Sequence, residues 1–170
     1  MPAPGSKRVF LILLASLLLA CETPARQPLP ALSPNAPEDK PVAVKGKAQF
    51  DKVQAAIAPY IEQARQTYPG ARERYLRGLP PGHAFFAVTR LRDGTGAFEQ
   101  VFVAVSAIQN GRIRGRIASD VRRVQGYKHG DPHEFPEAEL VDWVISRPDG
   151  SEEGNLVGKF LDEWQKTRRP

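Results

Sequence analysis

The tightest group of potential ligands in the sequence is His129-Gly130-Asp131-Pro132-His133. Two imidazoles and a carboxylate at alternate positions of an extended segment can face one side, and His83 or Glu134 can supply a further ligand. A catalytic zinc takes three protein ligands and a water, so the donor types for metal-assisted hydrolysis are present. The same residues also spell a Gly-Asp turn, in which Asp131 accepts local backbone N–H groups and Pro132 fixes φ. Spacing this loose occurs in many chains without a metal, so the turn is the preferred reading.

Two other sets carry chemistry. Arg112, Arg114 and Arg116 alternate with Ile113 and Ile117, which puts three guanidinium groups on one side of a strand. Such a row can clamp carboxylates or phosphates bidentately; it can equally be a solvated face whose charge discourages aggregation. Asp142-Trp143 is the third candidate. Adjacent strand residues point to opposite faces, so one of the pair is expected inside and the other outside. The preferred arrangement buries Trp143 beside Val141 and Ile145, with Asp142 accepting hydrogen bonds from backbone or arginine. The alternative makes Trp143 an exposed anchor for a ligand. The acidic pairs Glu152/Glu153 and Glu137/Glu139 fall in loop-like stretches and do not suggest a glycosidase dyad. No Gly-x-Ser-x-Gly elbow, phosphate loop or dinucleotide fingerprint occurs.

These residues depend on the elements that hold them. Phe50, Val53, Ile57, Ile61 and Ala64 recur at helical spacing, with Asp51, Lys52, Glu62 and Arg65 on the other side. Pro59 is expected to interrupt this helix, Tyr68-Pro69-Gly70 to close it, and a short basic turn to cover 71–79. Pro80-Pro81-Gly82 is a break. The period then becomes two. Strands are expected at 84–91, 98–108 and 112–117, briefly around 134–135, and at 140–146. Asp93-Gly94-Thr95-Gly96, Asn110-Gly111 and Pro148-Asp149-Gly150 are the turns. Val101, Val103 and Val105 line one side of the second strand, and Phe102, Ala104 and Ile108 the other, as in a central strand covered on both faces. Leu156, Phe160 and Trp164 form a closing helical stripe, with Val157 and Leu161 beside it. The class is therefore α+β: an antiparallel sheet of four to five strands packed with an N-terminal and a C-terminal helix.

The N-terminus supplies an address. Lys7 and Arg8 precede a twelve-residue run, apolar but for Ser16, that ends at Ala20, too short to span a bilayer and typical of a secretory signal peptide. Leu18-Leu19-Ala20-Cys21 resembles the bacterial lipobox, which implies cleavage before Cys21 and acylation of that cysteine. By the same resemblance, Glu22 lacks the aspartate that holds enteric lipoproteins in the inner membrane. The expected destination is the outer membrane, facing the periplasm. Residues 1–20 are thus read as a signal peptide, and 21–46 as the acylated cysteine and a proline-rich tether. Residues 47–170 are read as one domain. Pro24, Pro28, Pro30, Pro34, Pro37 and Pro41 keep the tether extended and short of apolar surface. Loss of Lys7 and Arg8 lowers the formal charge from +5 to +3. With the single cysteine acylated, disulfides, thiolate catalysis and cysteine-bound zinc are excluded.

Pro80-Pro81-Gly82-His83-Ala84-Phe85-Phe86, the long apolar strand, the Asn-Gly hairpin, Gly130-Asp131 and Leu140-Val141-Asp142-Trp143 together resemble a YegJ-like bacterial domain of unknown function. The resemblance covers roughly residues 50–164 and implies no activity. Related small domains suggest an immunity-like role against toxins.

The sequence therefore leads to a membrane-anchored, non-enzymatic module that binds a protein partner, with no cofactor and no nucleic acid. A metal-dependent hydrolase built on His129, Asp131 and His133 is the alternative. A cell-wall-associated structural protein is the third possibility.

Overall fold

Asn110 and Gly111 both take positive φ, 53° and 70°, and form the two-residue turn between β2 (Phe98–Gln109) and β3 (Arg112–Ile117). Only a turn of this hand matches the twist of the strands it joins. In the computed structural model the described residues are 32, 35–40, 42 and 46–167; Cys21 and the signal segment lie outside them. β1 (Ala84–Arg92) pairs with β2, β3 with β4 (Pro132–Pro136), and β5 (Asp142–Ser146) with both β1 and β6 (Glu152–Gly154). The order is β4-β3-β2-β1-β5-β6, antiparallel throughout. The α+β class with a helix at each end holds, with six strands in place of four to five. The added strand, β6, is three residues of charge and glycine with no apolar alternation to announce it.

The first helix differs from expectation. It is one element, α1 (Gly46–Arg77), running through both Pro59 and Pro69. Each proline removes one intrahelical hydrogen bond, yet Val53 and Ile57 precede Pro59, and Ala64 and Tyr68 lie between the two prolines. Ala71 follows Pro69, and all five are buried. Packing on either side of each proline outweighs the local preference to stop.

The sheet is covered on both faces. One carries Phe85, Ala87 and Leu91 of β1, Val101 and Val103 of β2, Ile113 and Ile117 of β3, and Trp143 and Ile145 of β5. These pack against Ala64, Tyr68 and Ala71 of α1. On the other, Val88 and Val141 meet Val53 and Ile57 of α1 and Val157 of α2 (Leu156–Lys166). Tyr60 and Phe160 stack at 4.4 Å where the helices touch. β2 is central, as its pattern predicts, but a bulge between Val105 and Ala107 shifts its phase. Ile108 consequently joins the cluster of Val101 and Val103, and does not share a face with Phe102.

Part of the tether belongs to this unit. Asn35 donates to the Gly82 carbonyl at 2.8 Å, Pro37 is buried, and Lys40 reaches Asp162 of α2 at 3.5 Å. Asp39 meets the Ser119 hydroxyl and the Asp120 backbone, where burial raises its carboxyl above the usual range. Residues 35–40 are thus docked, in contrast to the free spacer expected up to residue 46. Among the described residues no helix is long and apolar enough to cross a membrane.

Candidate functional site

The three sequence candidates have structural occupations. His129 points its Nδ1 at the Ala118 carbonyl, 3.1 Å away, and Asp131 accepts from the Lys128 backbone N–H at 3.0 Å. His133 lies between Tyr127 and Phe135, half-buried, where desolvation lowers its pKa and favours the neutral ring. The Gly-Asp turn is present. Among the described residues no three His, Cys, Asp or Glu side chains are placed to hold a metal ion. The structure does not bring His129, Asp131 and His133 together as a ligand set.

Asp142 and Trp143 point to opposite faces, but both are buried, at 0% and 4% exposure. The expectation of one inside and one outside is corrected because the second half of α1 covers one face, and the first half of α1 together with α2 covers the other. The Trp143 indole N–H donates to the Ala64 carbonyl and the Thr67 hydroxyl, each at 3.1 Å. It is a core side chain and not an exposed anchor. Asp142 accepts from its neighbour Trp143 N–H and from Val157 N–H, at 2.8 and 2.7 Å. Gly154 and Asn155 both have positive φ, which swings the start of α2 onto this carboxylate. A side chain on Gly154 would collide with the Trp143 carbonyl, so glycine is required there. Burial pushes the Asp142 carboxyl up to about 6, against the pull of the backbone N–H groups of Val157, Trp143 and Leu156.

The arginine row alternates as expected with the buried residues Ile113, Gly115 and Ile117. Its charge is not free. Arg112 and Arg114 both bind Glu134 across the β3–β4 pair, and Arg116 donates to the Gly130 carbonyl at 2.8 Å. The adjacent strand brings a carboxylate for two of the three guanidinium groups. The acidic pairs are similarly engaged. Glu137 accepts from Tyr68 and Arg72, and Glu153 makes a bidentate pair with Arg74.

Elsewhere on the molecule, a cleft of about 830 Å³ runs between α1, the last residues of β1 and the segment His133–Glu139. β5 pairs with β1 only as far as Val88, opposite Asp142, and the Val141 N–H caps the Val88 carbonyl. In an antiparallel strand alternate residues turn their backbone groups the same way, so Arg90 and Arg92 direct theirs to the side that β5 has left. The cleft opens along that edge. Arg65, Arg90 and Arg92 all line it.

Arg90 is the unusual member. One guanidinium nitrogen donates to Gln54 of α1 at 2.9 Å, while the buried Nε has no acceptor among the described residues. Opposite it in register is Gln100, whose buried side-chain nitrogen also has none. Desolvation lowers the Arg90 pKa, and the charges of Arg92 and Arg65 lower it further. Arg90 and Arg92 both lie over the Phe98 ring, at 5.6 and 5.5 Å. Arg65 is spent partly on the Leu140 carbonyl, at 2.9 Å. Glu62, Glu134 and Glu139 stand on the same cleft, with Glu134 already held by Arg112 and Arg114. Sequence reasoning missed this trio. Arg90 and Arg92 carry the same alternating signal as the Arg112 row, but nothing local marks where β5 ends. Comparison with protein-family models, curated proteins and solved structures returns no match.

Proposed function

We propose that this protein is a lipid-anchored module of the bacterial envelope, held by acylated Cys21 and facing the periplasm from the outer membrane, which binds a protein partner. The YegJ-like resemblance and an immunity-like role belong to the same reading. One observation carries the binding function: the cleft beside β1 combines an open strand edge with arginines that have no carboxylate of their own. Among the described residues Arg65, Arg90 and Arg92 make no ion pair, whereas Arg72, Arg74, Arg112, Arg114 and Arg147 do. Charged groups left in this way favour a complementary surface and speed its approach. The test has two parts. Cys21→Ser must abolish lipoprotein-type processing, and a mature-sized, membrane-bound product in that variant overturns the anchor. A photo-crosslinker at Glu62, on the cleft wall, is expected to trap a discrete protein in cells. Adducts identical to those from a probe at exposed Lys159 overturn the binding face.

A further inference from the structure

Three features remain after the candidate residues are accounted for: the docked tether, a smaller cavity near Tyr75 and Arg116, and the unanswered donors at Arg90. The last carries furthest. Buried charges in folded proteins are paired, and buried donors find acceptors. Arg90 is half-buried and in no ion pair, its buried Nε has no acceptor among the described residues, and neither has the buried side-chain nitrogen of Gln100 beside it. The charges that act on it, those of Arg92 and Arg65, repeat its sign. Such a constellation lacks an anion.

The edge of β1 says what form that anion takes. Arg90 and Arg92 offer outward backbone N–H and C=O groups in the cleft, the template on which an extended segment adds as a strand. In the added strand, side chains on the second face lie next to those of Arg90 and Arg92. The matching side chain there is a carboxylate, which guanidinium groups bind with strong, directional hydrogen bonds.

We infer that the cleft takes an extended acidic segment of the partner protein, paired to β1 at Arg90 and Arg92 with its carboxylates on their guanidinium groups. This rests on the binding reading above and adds the chemistry of what is bound. Arg65, at the helix side of the cleft, supports the field but is committed to the Leu140 carbonyl.

The experiment uses the full lipidated chain in detergent micelles. The probes are a short fluorescent β-forming peptide with two glutamates, its glutamine counterpart, a backbone N-methylated glutamate version, and inorganic phosphate. The glutamate peptide is expected to bind at least about tenfold more tightly than the glutamine and N-methylated versions. Arg92→Gln, an exposed position, is expected to weaken it by about tenfold, and Arg90→Gln by more. Arg112→Gln is expected to leave it unchanged. If Arg90→Gln unfolds, Arg92→Gln decides. Equal binding of glutamate and glutamine peptides overturns the inference, as does indifference to a folded Arg92→Gln. Displacement by phosphate at matched ionic strength and equal concentration also overturns it, since the site then takes a free anion. A partner trapped at Glu62 without a preference for glutamate removes this inference alone, whereas no specific adduct removes the binding reading as well.

Discussion

The carboxylate of Asp142, on the first residue of β5, lies 2.7 Å from the backbone nitrogen of Val157 in the first turn of α2. Asn155, in the helix's own cap position, makes no side-chain cap bond. A strand residue therefore closes the helix, which locks α2 to the second face of the sheet. Asp142→Ala leaves those N–H groups buried without acceptors and should cost about 2–3 kcal/mol in urea unfolding. A loss under about 0.5 kcal/mol would show that α2 does not need this carboxylate.

The same residue sets a pH dependence. Its folded pKa of about 6 lies above the unfolded value of about 3.9, so the native state holds the proton more tightly between them. Stability from Asp142 is complete below about pH 3.9, falls as pH rises to about 6, and is constant above that. The gap corresponds to about 3 kcal/mol. Carboxylates with lowered pKa, such as Glu134, Asp93 and Asp149, act in the opposite sense, but they are common to wild type and Asp142→Asn. The difference in unfolding free energy between the two proteins should therefore shift against wild type as pH rises from 4 to 7. A flat or opposite difference would mean that the backbone donors outweigh desolvation.

Phe86 is fully buried, whereas Phe102, on the neighbouring central strand, is only half-buried. Phe86→Ala should cost about 3–5 kcal/mol, and Phe102→Ala distinctly less. Equal losses would show that Phe102 is closed over as fully as Phe86.

Much of this fold is legible locally. Asn110-Gly111 names its turn, and Ile113 and Ile117 name the inward side of β3. The errors arise where distant structure decides. Pro59 and Pro69 read as breaks because the rule for proline knows nothing of Val53 or Ala71 in the core. Alternation separates Asp142 from Trp143 correctly, yet whether each face is covered depends on helices far away in the chain. Glu134 has no sequence signal as the partner of Arg112 and Arg114, since it enters through a strand some twenty residues later. The cleft is hidden for the same reason: it exists because β5 stops at Asp142 while β1 continues to Arg92.

The docked tether gives a further expectation. With residues 35–40 held at Gly82, Ser119 and Asp162, limited proteolysis should cut before Asn35 and spare the segment behind it. Thirteen residues then separate Cys21 from Asn35, a reach of about 40 Å in extended polyproline geometry. Removing residues 35–40 should lower stability by about 1–2 kcal/mol. Equal cutting on both sides of Pro37 would show a tether that is free throughout.

The central claim, that partners are taken at the β1 cleft and not on the β3 arginine row, is tested most directly by partner capture with two charge-reversed proteins. Arg65→Glu with Arg92→Glu is compared with Arg112→Glu with Arg114→Glu, each checked for a normal melting temperature. The cleft pair should lose the partner trapped at Glu62, and the row pair should retain it. Loss in the row pair alone, with the cleft pair capturing as wild type does, would contradict the account.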